Sequence, residues 1–185
     1  MSNELIISAT QDGCRIALLK DKTLVEFHNE EEGSKFTVGD IYLGTVKKVV
    51  QGLNAAFIDV GYDKDAFLHY LDLGPQYNSL QKFTKLVRAK KINGGKLDKF
   101  NLEPDIDKHG KITQQLSKGQ QIPVQIVKEP ISTKGPRLSC ELSLAGRYLV
   151  LVPFANAVSV SKKITSGEER KRLLRLIQSI KPENF

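Results

Sequence analysis

The chain has 185 residues, 28 Lys and Arg against 21 Asp and Glu, a formal charge of +7 and 40% apolar residues. That length and apolar content suit one or two domains with a buried core. No run approaches the roughly 18 apolar residues of a membrane span, and the first residues lack the basic start and apolar core of a secretory signal, so a cytoplasmic protein with no membrane partner is expected. The positive balance favours a polyanionic partner without naming one. Cys14 and Cys140 both lie in apolar, strand-like runs with no second Cys or His at metal spacing, and they read as buried free thiols.

In chain order, Leu5 to Ala9 and Cys14 to Leu19 flank Gln11-Asp12-Gly13 as a hairpin, with a third strand near Leu24 to His28. Asp12 and Asp21 are expected as turn residues rather than metal ligands. Tyr42 to Val50 and Leu53 to Val60 are rich in Val, Ile, Tyr and Phe around a Gln51-Gly52 turn, which makes them antiparallel neighbours. Phe57 and Phe67 lie in or beside these strands. Gln121 to Lys128 and Pro136 to Leu144 read as two more strands.

Between them, Gly74 to Gly119 stands apart. From Lys82 to Lys118 it carries ten Lys or Arg against four Asp or Glu. Leu80, Phe83, Leu86 and Val87 recur at helical spacing after Ser79 as N-cap, Gly94-Gly95 would stop that helix, and Lys96 to Ile112 reads as a polar loop. Either the insert extends an electrostatic footprint or it is a solvated, mobile loop. Beyond it, Leu142 to Val152 is an apolar run broken at Gly146-Arg147, and Pro153 to Ala157 is a turn-rich link. Ser166 with Glu169 forms a capping box for a helix with Leu173, Leu176, Ile177 and Ile180 on one face. Its other face carries Arg170, Lys171, Arg172 and Arg175, either solvated or facing nucleic acid.

Gly44-Thr45-Val46, Ala55-Ala56-Phe57-Ile58-Asp59-Val60-Gly61 and Ala66-Phe67-Leu68-His69 resemble the S1-type RNA-binding domain. With the leader NELIISATQDGCRIALL, the run GDIYLGTVKKVVQGLNAAFIDVGYDKDAFLH and the later LSLAGRYLVLVPFANAVSVSKKI, the chain resembles the amino-terminal part of the ribonuclease E/G family. The resemblance covers about residues 3–73 and 117–180. It implies a mostly β fold with some α: a five-stranded OB-fold barrel of S1 type over 37–141, with the basic insertion at about 74–119. Residues 1–36 would begin an RNase H-like subdomain, and 142–185 would form a partial 5′-sensor-like α+β segment.

By the same resemblance the parent protein would be a single-strand endoribonuclease of RNA processing and decay. Its magnesium-binding aspartates and the cysteines of an interchain zinc would belong to a later domain, so this portion is expected to bind single-stranded RNA, hold no cofactor of its own, leave RNA uncut and oligomerise only through missing regions. A stand-alone, non-enzymatic RNA-binding protein and an interaction module for an acidic partner remain alternatives. No phosphate-binding Gly-rich loop, dinucleotide fingerprint or Ser/His/Asp arrangement is present.

The candidate RNA-binding residues are Phe57, Phe67, His69, Lys134, Arg137 and Lys47. An OB face stacks bases on aromatics and meets the backbone with cations. Phe57 and Phe67 are stacking platforms or barrel core. His69 is a stacking or phosphate-donating group or a plain surface histidine. Lys134 and Arg137 flank the turn between the last two strands. Lys47 and Lys48 alternate outward, so at least one is solvated. The position where many S1-type domains carry an acid near the end of the fourth strand is Val127 here. Gly146 and Val150 match the family's 5′-monophosphate pocket, although from the residues alone they are a strand-bending Gly and a core Val. The family's main phosphate-binding Arg-Thr pair would follow the final helix. Asp63 and Asp65 read as turn and cap residues.

Overall fold

The computed structural model describes residues 2–11, 13–31, 36–92, 97 and 100–185, in two compact units, 1–37 and 38–185. In the first unit β1 (Asn3–Thr10), β2 (Gly13–Lys20) and β3 (Thr23–Glu31) form an antiparallel meander. Asp21 and Lys22 both have positive φ (48° and 65°) between the paired Lys20 and Thr23. This is the backbone of a two-residue primed turn, whose twist matches the strands it joins. Asp21 is therefore a turn residue, as expected; Asp12 lies outside the described residues. None of this unit's described residues is buried, and Cys14 is only half-buried, which corrects its reading as a buried thiol.

The second unit is built on a closed five-stranded barrel. β4 (Ile41–Val50), β5 (Ala55–Asp59), β6 (Ala66–His69), β7 (Gln121–Lys128) and β8 (Arg137–Ser139) close in the order β4-β5-β6-β8-β7. Val46, Ile58, Leu68, Val124, Ile126 and Leu138 fill the interior. Gly44 lets β4 pass close to its neighbours, because a Cβ there would lie 2.5 Å from Ile58 Cγ2. Two register shifts, between Val46 and Lys48 and between Ile126 and Lys128, kink β4 and β7. β8 is shorter than the strand expected from Pro136 to Leu144. Beyond Ser139 the chain leaves the ladder: Cys140 N–H donates to the Asp72 carbonyl (2.8 Å), and the buried Gln125 amide bonds both Ser143 N–H (2.8 Å) and Ser143 C=O (2.9 Å). Cys140 is buried, and that burial raises its thiol pKa.

The described residues of the insert pack instead of being free in solvent. Its helix α1 (Tyr77–Arg88) starts two residues before Ser79, so Ser79 is no N-cap. Its hydroxyl accepts from Glu103 N–H at 2.9 Å, a tertiary bond no local pattern discloses. The helix also ends at Arg88, ahead of Gly94-Gly95, which lie outside the described residues. Leu97, Phe100 and Ile112 are buried, and the Phe100 ring meets Phe83 and Phe154 at 5.8 and 5.5 Å. The described part of Lys96 to Ile112 is thus anchored, which corrects the polar-loop reading. Tyr70 donates its hydroxyl hydrogen to the Asp107 carbonyl, and a short helix α2 (Ile112–Gln115) leads into β7.

In residues 142–185, β9 (Leu144–Ala145) and β10 (Val150–Leu151) form a small hairpin, and α3 (Gly167–Ile180) follows. Ser166 Oγ accepts from Glu169 N–H at 3.4 Å, but the Glu169 carboxylate pairs forward with Arg172 at 2.7 Å. Only half of the expected capping box is formed. Asn184 ties the end of the chain to the insert by donating to the carbonyls of Leu97 (2.7 Å) and Phe100 (2.9 Å).

One residue joins barrel and insert. Asn54 has φ 46°, donates from Nδ2 to Gly110 C=O at 3.1 Å and accepts from Ile112 N–H at 2.7 Å. Asn54→Gly keeps the backbone conformation and loses both bonds, and should cost about 1–3 kcal/mol. Asn54→Ala loses the bonds and also strains the left-handed backbone, so it should cost more. Urea unfolding of both variants checks the order; equal stability of all three proteins would show that the insert is not held through Asn54.

Candidate nucleic-acid interface

Pairing of β5 with β6 sets Phe57 directly opposite Phe67, with ring centroids 5.9 Å apart and planes at 70°. Strand alternation turns Ala56, Ile58, Ala66 and Leu68 into the barrel, which leaves the two rings half-exposed on its outer wall. They are not core residues. Beside them opens a cleft of about 730 Å³, lined by five cations, Lys48, Lys64, Lys128, Lys134 and Arg137, against the carboxylates of Asp65 and Glu129. A pair of edge-to-face rings within a mostly cationic wall can stack unpaired bases and hold phosphates alongside.

The β4 kink decides which lysine reaches this cleft. Thr45 faces Asp59 and Val46 faces Ile58, but the next partner of Phe57 is Lys48, so Lys47 is the extra residue of the bulge. Lys47 turns to Asp59 instead, with Nζ to Oδ2 at 3.1 Å. The hydrogen bond and charge of Asp59 raise the Lys47 pKa; Asp59 is lowered first by the Gly61 N–H (2.9 Å) and then by Lys47. Lys47, the expected contact, is paired with Asp59, and Lys48 is the lysine of β4 that lines the cleft.

The same device acts on β7, where Lys128 pairs with Arg137 across the second kink. Val127 is the extra residue and points away from the cleft. An acid does reach the wall, two positions later, as Glu129. Arg137 lines the cleft while its guanidinium forks onto Asp72, with Nε and Nη2 at 2.9–3.1 Å from the carboxylate oxygens. That fork fixes the guanidinium beside Phe67, its partner in the β6–β8 pairing. Lys134 sits on an exposed turn closed by Ile131 and Lys134. The turn lies tightly against the β5–β6 connection, since a Cβ on Gly135 would collide with the Asp65 carbonyl oxygen.

His69 is two residues beyond Phe67 on β6 but does not line the cleft. Its Nδ1 accepts from Leu71 N–H at 3.2 Å and caps the turn Tyr70–Leu73. Gly146 N–H closes the β9–β10 hairpin onto Leu149 C=O at 2.8 Å, in keeping with a strand-bending Gly. Val150 is 62% exposed, so it is not the core residue the bare sequence suggested. Asp63 and Asp65 are exposed in the β5–β6 connection, and among the described residues no three His, Cys, Asp or Glu converge as a metal site. Lys64 and Lys128 were not singled out in the sequence, and Lys48 was weighed beside Lys47 but not chosen, because their places in the cleft depend on bulges and loop packing; only the local density of lysine hinted at them.

The family model for the S1 RNA binding domain matches residues 35–141, more than half of the chain. The chain belongs to the S1 RNA-binding domain family. Residues 143–185 match the model of the ribonuclease E/G family. Ribonuclease G of Salmonella typhimurium (strain SL1344) and of Escherichia coli (strain K12) are each 36% identical over 177 residues, or 96% of this chain and 32% of theirs. A ribonuclease E/G-like protein of Porphyra purpurea is 40% identical over 148 residues, 80% of this chain and 24% of its own. The chain spans about a third of the length of the Ribonuclease G relatives. These matches run through residues 74–119, which the sequence reading had left outside the resemblance. No helix among the described residues is long and apolar enough to cross a membrane.

The bulge yields a direct test within this S1 domain. Each phosphate contact on a single strand contributes about 0.7 to the slope of log affinity against log salt. Lys48→Gln should flatten that slope for RNA binding by about this amount, whereas Lys47→Gln should leave it unchanged. The reverse pattern in a fluorescence-anisotropy salt series would put Lys47 on the nucleic acid.

Proposed function

We propose that this chain is the RNA-binding, amino-terminal portion of a ribonuclease E/G-like single-strand endoribonuclease that processes and degrades RNA in the cytoplasm. The observation that carries the reading is the Phe57–Phe67 pair, displayed outward and bordered by five cations. Every base has a π face, so such a platform holds single strands with little regard to sequence, while lysines meet the backbone. A duplex offers no free base faces at that spacing. The mixed cleft also favours RNA over an acidic protein, because two aromatic faces would contribute little to binding carboxylates.

The parent's chemistry would be magnesium-assisted hydrolysis, with zinc holding chains together. The described residues do not fit either metal: Asp63 and Asp65 are exposed in a turn, Asp59 is committed to Gly61 and Lys47, and Asp72 to Arg137. This chain's own part is to bind and orient the strand. Gly146 and Val150, on an exposed hairpin, would contribute backbone and methyl contacts to a 5′-phosphate pocket completed by other residues of the parent.

Base–aromatic stacking is worth roughly 1–3 kcal/mol per base, so Phe57→Ala together with Phe67→Ala should weaken binding to single-stranded RNA at least about tenfold. Both rings are outside the core, and circular dichroism should show an unchanged fold. Unchanged affinity in a folded double variant would remove stacking from the mechanism. In the same experiment, 5′-monophosphorylated RNA with magnesium should stay intact; cleavage abolished by Asp63→Asn with Asp65→Asn would place a reactive site in that turn.

A further inference from the structure

A second cleft, about 940 Å³, opens beside α1, on the barrel surface where β7 begins. One wall is a helical stripe: Gln81, Thr84, Lys85 and Arg88 follow each other at three- and four-residue spacing along α1. The facing wall is the segment from Gln115 to Pro123, which contributes Lys118, and Thr45 of β4 lines the floor. The lining holds three cations, several carboxamides and hydroxyls, no carboxylate and no aromatic ring. It differs in kind from the Phe57 cleft, which has both.

We propose that this cleft is a second RNA contact that grips the sugar-phosphate backbone of the same single strand as it leaves the aromatic platform. The inference rests on the RNA-binding reading above and adds to it a track for the strand. Lys85, Arg88 and Lys118 make no ion pair among the described residues, in contrast to Lys82, one turn earlier, whose Nζ lies 2.6 Å from Glu103. Cations in the last turn of a helix also answer the negative end of its dipole. That accounts for part of the Lys85 and Arg88 preference, but the dipole amounts to about half a charge and does not bring Lys118 in from another element. Three cations without an ion pair among the described residues, in a polar, ring-free groove, suit phosphates, which carry charge but no sequence, whereas bases need the rings of the other cleft.

The placement lets a strand pass from one cleft to the other around either side of the barrel. β4 and β7 are antiparallel neighbours, and each lines both clefts, Thr45 and Lys48 on β4 and Pro123 and Lys128 on β7, so the two strands lead toward the aromatic cleft in opposite directions. At about 3.3 Å per residue the edges are roughly 10–16 Å apart along these strands. A strand of a few nucleotides, at the low end of OB-fold site sizes, fills only the platform, and a longer one must run on.

The test compares a 4-nucleotide and a 20-nucleotide single-stranded RNA on the full chain carrying Lys85→Gln, Arg88→Gln and Lys118→Gln. Gln keeps the helix propensity of α1, and thermal melting confirms the fold. For the long RNA the triple variant should lose about tenfold in affinity at moderate salt and flatten the log–log salt slope by about 2. For the short RNA both quantities should stay at the unsubstituted values. Equal long-RNA binding, while Phe57→Ala still weakens it, overturns the second cleft alone. If Phe57→Ala also has no effect, the RNA reading itself has failed. Loss of binding to polyglutamate with unchanged long-RNA binding would assign the cleft to an acidic protein and likewise overturn the proposal.

Discussion

Everything useful in this chain follows from how narrow a five-stranded barrel is. Its interior has room for apolar side chains and nothing else, so Val46, Ile58, Leu68 and Val124 take the inward positions and every polar or aromatic recognition group must lie on the outer wall. Strict alternation would then decide which residues share a face. The two bulges break it, and by advancing β4 and β7 one residue they set Lys48 and Lys128 beside the aromatic pair. A one-residue slip therefore chooses between two adjacent lysines, one that can meet RNA and one held by Asp59.

That is also where sequence reading reaches its limit. The order of strong β formers and the Gln51-Gly52 turn disclosed β4 and β5, and the motif set Phe57 and Phe67 together, where the structure pairs them on the outer wall, because both signals are local or carried by whole blocks. Lys47 was chosen over Lys48 because a bulge leaves no mark in hydropathy. Ser79 looked like a cap because the bond from Glu103 N–H comes from 24 residues away. The polar look of residues 96–112 hid Phe100 and Ile112, single apolar residues whose burial depends on Phe83, Phe154 and Asn54 from distant parts of the chain. His69 ends β6 and Arg137 begins β8, and their partners, Leu71 and Asp72, lie on a short turn that the sequence reading had not resolved.

Net charge is likewise a poor map of where a polyanion binds. Lys47, Lys82, Arg137 and Arg172 each face a carboxylate at 2.6–3.1 Å. Exposed pairs of this kind contribute only about 0–1 kcal/mol to stability. Their larger consequence is geometric: they orient side chains and cancel part of the surface potential. Arg137 shows both effects, fixed beside Phe67 by the ion pair that also offsets part of its charge. Cations consequently outnumber acids around the aromatic pair and along the α1 cleft.

Rigidity connects these two places. β4 and β7 share a continuous ladder, and each passes from one cleft to the other, so the spacing between rings and helix is set by strand geometry and not by a hinge. The insert could have cost order on binding had it been a free loop, but Asn54, Ser79 and the Phe83–Phe100–Phe154 cluster already hold its described part against the barrel. The ordering cost then falls almost wholly on the RNA, whose unstacked single strand is the flexible partner. Under the reading proposed above, such a surface would favour strands that can extend over it, whereas a stiff duplex keeps its bases closed to Phe57 and Phe67.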